Sequence, residues 1–123
     1  MLKVHIRNLG GIAILCLEGR IIRGETDSLL KAVHSQTGVR ALILDLGRVS
    51  TVDAGGLGVL LKLREQVQAN GADLQLMNVT QLVSGVLEIT RLNSVLKVAS
   101  TEEILAAAPR DLLATSERLA ICA

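Results

Sequence analysis

Polar and apolar positions change period several times along this chain, and each change marks an element. Residues 2–7 alternate, with Leu2, Val4 and Ile6 set against Lys3, His5 and Arg7, which predicts a half-exposed strand at a sheet edge. Asn8-Leu9-Gly10-Gly11 signals a tight turn and residues 12–17 form a second strand, so residues 2–17 read as a hairpin. Glu18-Gly19-Arg20-Ile21 leads away from it. The period then lengthens: Leu29, Leu30 and Val33 predict a helix over about residues 26–35, with Thr26 or Asp27 as cap and Gly38 closing the unit. Arg23, Glu25, Asp27, Lys31 and His34 are expected to face water.

Residues 41–46 are apolar nearly throughout, as in a strand covered on both faces, and a crossover through the first helix lays it parallel to an earlier strand. Leu57, Leu60, Leu61, Arg64 and Val67, widened by Val59 and Leu63, predict a helix over about residues 55–70, stopped by Asn70-Gly71. Asp73–Met77 is the next strand. Asn78 followed by Gln81 resembles a capping arrangement for a helix with Leu82, Val83, Val86 and Leu87 as its stripe. Leu92-Asn93 breaks it, residues 95–98 make a short strand, and Ser100-Thr101-Glu102-Glu103 is a capping box for a last helix reaching about Ala108 before Pro109.

The order β-β-α-β-α-β-α-β-α predicts an α/β fold. We expect a mixed β-sheet with an N-terminal hairpin and four helices packed mainly on one side. Residues 1–109 form the expected domain and residues 110–123 a C-terminal extension. Leu112, Leu113, Leu119 and Ile121 make that tail partly amphipathic, which suits a helix over the core, a contact between protomers of a homodimer, or a frayed end.

Composition narrows the function. The 123 residues are half hydrophobic with a net charge of +1, which excludes a disordered chain. The absence of Phe, Tyr and Trp removes any stacking platform, and the balanced charge removes the electrostatic footprint of a nucleic-acid binder. No apolar run approaches the ~18 residues of a membrane span, and the alternating N-terminus is no signal peptide. Cys16 and Cys122 have no metal or redox spacing; Cys16 reads as a small core residue, and a cytoplasmic protein with free thiols is the simplest expectation.

Catalytic chemistry finds little support. His5 and His34 read as solvated surface residues, and the histidines and cysteines make no triad or metal set, so neither enzyme activity nor a cofactor is expected. Gly56-Leu57-Gly58-Val59-Leu60-Leu61 starts like a dinucleotide motif but has Leu61 in place of the third glycine. Lys62, between Leu61 and Leu63, does not complete a P-loop. Asp45 ends a predicted strand and Asp53 is better explained as a helix cap than as half of an acid/base pair.

The stretch from Ser50 to Leu61 is therefore a strand-to-helix turn. Asp53 is placed to cap the helix through backbone N–H groups near Gly55 and Gly56, and the glycines leave the entrance without bulk. Within it, Asp53-Ala54-Gly55-Gly56-Leu57-Gly58 resembles the signature loop of STAS domains, shared by sulphate transporters and anti-sigma-factor antagonists. Gly19-Arg20-Ile21 is similar to the family's segment ahead of the first helix, and the element order agrees over roughly the first 110 residues.

The antagonists usually read Asp-Ser-Ser/Thr-Gly-Leu-Gly here, the first Ser being phosphorylated by a partner kinase. The resemblance thus puts Ala54 at the phospho-acceptor position and Gly55 at the second hydroxyl position, so this loop cannot be phosphorylated there. It implies a bacterial regulator of transcription that binds an anti-sigma factor of the GHKL serine-kinase type through Asp53, Ala54, Gly55, Gly56, Leu57 and Gly58. Ser50 and Thr51, read as lying in the same loop, are either plain loop hydroxyls or alternative phosphosites. The competing implication is a stand-alone STAS subunit docked on a transporter of the lipid-exporting ABC type.

Overall fold

A computed structural model describes residues 2–107. Its strands are β1 (Lys3–Leu9), β2 (Ile12–Ile21), β3 (Ala41–Val52), β4 (Asp73–Met77) and β5 (Lys97–Val98). Its helices are α1 (Asp27–Ser35), α2 (Ala54–Ala69), α3 (Gln81–Ile89) and α4 (Thr101–Ala107), with a 3-10 turn at Leu92–Ser94. Gly10 and Gly11, at φ 52° and 89°, make the two-residue turn that pairs β1 antiparallel to β2, Leu9 opposite Ile12. Positive φ at both central residues matches the right-handed twist of the flanking strands, which is why two glycines stand there. From β2 onward every pairing is parallel, in the order β1-β2-β3-β4-β5, with a helix in each crossover.

Alternation along the strands sorts the core into two layers. Ala13, Leu15, Leu17, Leu42, Leu44, Leu46, Leu74 and Leu76 face α1, α2 and α3, whose Leu29, Val33, Leu57, Leu60, Leu63, Val83 and Leu87 close over them. Burying each of the large aliphatics contributes roughly 1.5–3 kcal/mol, so a core without aromatics is sufficient at this size. The other side-chain row, Ile12, Ile14, Ile43 and Met77, clusters with Ala99 and with Ile104 of α4. Three helices thus lie on one face and α4 on the other.

Several local expectations are corrected by this packing. β3 runs on to Val52 instead of stopping at residue 46, because β2 continues beside it as far as Ile21 through two register shifts. Ser50 and Thr51 therefore lie on a strand, Arg20 opposite Thr51, and the Ser50 hydroxyl donates to the Gly19 carbonyl at 3.2 Å. Asn78 does not cap α3: it takes a left-handed φ of 54° and its amide donates to Asp45 at 3.0 Å. Thr80 is the cap, its hydroxyl accepting from Val83 N–H at 3.3 Å. Thr80→Ala is expected to cost about 1 kcal/mol, read as a lower urea midpoint at unchanged slope.

Leu82, expected in the α3 stripe, is 57% exposed. The capping box ahead of α4 forms in part, Glu103 N–H donating to the Ser100 hydroxyl. Cys16 lies on the second face beside Asp45, half-buried, and Cys122 lies outside the described residues. The alternation that turns Leu15 and Leu17 into the three-helix core turns Cys16 away from it. The domain boundary at residue 109 and the tail beyond it lie outside the described residues.

Candidate functional site

Because β2, β3 and β4 are parallel, the segments leaving them meet at one edge of the sheet: residues 22–26, Asp53 and residues 78–80. In open parallel sheets this is the edge where binding sites form, since connections rather than side-chain layers build it. At its centre is the entrance of α2.

Asp53 is the N-cap, extended at φ −100° and ψ −179°, and its Oδ1 accepts from Gly56 N–H at 2.7 Å. Both its oxygens also accept from the backbone N–H of Arg23, each at 3.1 Å, thirty residues away in the chain. Its own N–H donates to the Ile21 carbonyl at 3.3 Å. One exposed carboxylate thereby ties the β2–α1 segment to the first turn of α2. The bond from Gly56, then that from Arg23, holds the Asp53 carboxyl below its ordinary value of 3.8, against an opposing desolvation.

The six residues expected to bind a partner divide. Asp53, Ala54 and Gly58 are exposed and Gly55 is half-buried, whereas Gly56 and Leu57 are buried. A Cβ on Gly56 would run into the Ile21 carbonyl, and one on Gly55 would lie 2.7 Å from Arg23 Cβ, while one on Gly58 would meet nothing within 4 Å. Gly56 and Leu57 thus seat the helix, and Ala54 and Gly58, four residues apart, present one smooth outer face. Ser50 is exposed and Thr51 half-buried on the adjoining end of β3, not in a loop with Ala54.

Arg23 belongs to this site, although its sequence context marks it only as a residue facing water. No local pattern marks it, because its link to Asp53 is made by a backbone N–H that every non-proline residue has. Beside it, Arg20 pairs with Glu25 at 3.3 Å on the surface, a contact worth little by itself.

Elsewhere the chemistry is structural. Asp45, buried on the second face, accepts from Gly47 N–H at 2.9 Å and from Asn78, so it shares no partner with Asp53. Asp45 lies within β3, not at its end. A cavity of about 350 Å³ opens at the opposite end of the α1–α2 pair, where His34 Nε2 and Gln66 Oε1 lie 3.1 Å apart. Among the described residues no three His, Cys, Asp or Glu side chains converge as a metal site would need, and no helix is long and apolar enough to cross a membrane.

Comparison with known proteins agrees with this fold. The family model of the STAS domain matches residues 3–104. BtrV of Bordetella bronchiseptica, described as an anti-sigma factor antagonist, is 30% identical over 109 residues, covering 87% of this chain and 94% of BtrV. A Thermotoga maritima structure with the same description superposes with a TM-score of 0.75 at 19% identity, over 85% of this chain and 93% of that one. A sulfate transporter family protein from Wolinella succinogenes gives 0.70 at 23% identity, over 89% and 93%. The two structures show the fold; BtrV, at 30% identity, shows the family.

Proposed function

This chain belongs to the STAS domain family, and we propose that it works as an anti-sigma-factor antagonist-like regulator, binding an anti-sigma factor of the GHKL serine-kinase type without a phosphorylation switch at Ala54. The observation that carries this reading is the entrance of α2. Its backbone is held on two sides by Asp53, while Ala54 and Gly58 stand open with no hydroxyl at the first turn. A phosphate there would add about −1.5 to −2 charges and bulk at the contact. With Ala54 in place the surface stays in one state, so control of this protein falls to its abundance or to its partner. Its action is binding, not catalysis, and its proposed setting is the bacterial cytoplasm.

Immobilised protein should capture a GHKL-type kinase from the native cytoplasm, identified by mass spectrometry. Ala54→Glu places a charge and bulk on the exposed face without touching the core, and is expected to weaken that complex tenfold or more, about 1.4 kcal/mol, at unchanged melting temperature. Unchanged affinity would move the interface away from α2. Ala54→Ser, incubated with the captured kinase and ATP, should gain the mass of one phosphate. The transporter reading predicts recovery of ATPase and permease subunits instead; the Wolinella likeness, a likeness of fold, is its support.

A further inference from the structure

Gly55 stands where the resembled loop carries its second hydroxyl, and its surroundings show why no side chain is there. A Cβ built on Gly55 would lie 2.7 Å from Arg23 Cβ, 3.2 Å from its Cγ and 3.3 Å from its Cα. These atoms are the root of the side chain, which cannot swing aside as a guanidinium tip can. Nor can the Arg23 backbone easily retreat, because Asp53 holds its N–H with both carboxylate oxygens at 3.1 Å. We infer that Arg23 is the residue that sets this loop in its hydroxyl-free form: its stem fills the place of a side chain at position 55. Of the two hydroxyl positions in the motif, only position 54 is then open to a partner or its chemistry. Changing residues 54 and 55 alone does not restore the two-hydroxyl loop; the β2–α1 segment must change with them.

The inference deepens the reading of the α2 entrance as a docking face and rests on that reading for its functional meaning. Its test needs no partner, so the two can fail separately. Gly55→Ser is introduced into three backgrounds, wild type, Arg23→Ala and Arg23→Gly, and thermal melts are compared. Arg23→Ala keeps the Cβ that lies closest, whereas Arg23→Gly removes both Cβ and Cγ. Gly55→Ser should therefore lower the melting temperature by several degrees in wild type and in Arg23→Ala, and by little or nothing in Arg23→Gly. Gly55→Ser failing to fold alone but folding beside Arg23→Gly would be the same result in stronger form. An equal loss in all three backgrounds, no loss in wild type, or failure to fold in every background would overturn it, since each means that something other than the Arg23 stem excludes the side chain.

Discussion

Gly56→Ala should destabilise the domain by about 3 kcal/mol or more, although alanine is the better helix former by roughly 1 kcal/mol. Gly56 is buried in the first turn of α2, and a Cβ there would overlap the Ile21 carbonyl oxygen and press on Ile21 Cγ2. The obstacle is backbone within the β2–β3 ladder, Ile21 opposite Val52, so relief means shifting a strand end or lifting the helix off the core. For a domain of this size the midpoint of thermal unfolding should fall by roughly 10 °C. Gly58→Ala is the internal control: its Cβ would enter open space, and the substitution should raise stability by about 0.5–1 kcal/mol through helix propensity. Two glycines on one turn are thus expected to respond with opposite sign, which a propensity scale alone does not predict.

Asp53→Ala is expected to loosen the proposed docking surface itself. It removes the cap on Gly56 and the link to Arg23 in one step, leaving two N–H groups to find water. Asp53→Asn keeps one accepting oxygen, so at neutral pH the midpoints should order wild type, Asn, Ala from highest to lowest. The wild-type advantage depends on charge. The Asp53 carboxyl titrates below its ordinary 3.8 in the folded protein, so above that value it is ionised in both states and its contribution is fully present. As pH falls below 3.8 and through the folded value, the native state takes up the proton and the contribution is lost. Melts of wild type and Asp53→Asn across that acid window should converge; a difference independent of pH would show that the carboxylate charge plays no part. Hydrogen exchange at Arg23 and Gly56 should quicken in Asp53→Ala relative to amides in β3.

Much of this molecule is written in local patterns. The hairpin over Gly10-Gly11, the parallel crossovers, the α2 helix with its Asp53 cap and the stop at Asn70-Gly71 all follow from apolar period and turn chemistry. The loop motif is legible too, because Asp53, Gly56, Leu57 and Gly58 fall within six consecutive residues. Where the structure departs from the local pattern, a distant partner overrules a local signal. Gly47 and Arg48 interrupt the apolar run and look like a loop, yet β2 lies alongside and carries the ladder on to Val52. Asn78 looks like a cap, yet Asp45 draws its amide to β4's end.

The sequence by itself determined the order and type of the elements, since one-sided burial imposes a period of 2 or 3.6 on any segment packed against a sheet. It also determined that Ala54 has no hydroxyl to modify. Tertiary structure alone decided which loop residues form the surface and which the seat. Parallel pairing of β2 with β3 brings Ile21 and Arg23 against the start of α2, so that a carbonyl dictates Gly56 and a side-chain stem dictates Gly55. Those constraints are steric and act between segments more than thirty residues apart, and excluded volume across that gap leaves no periodic trace in the chain.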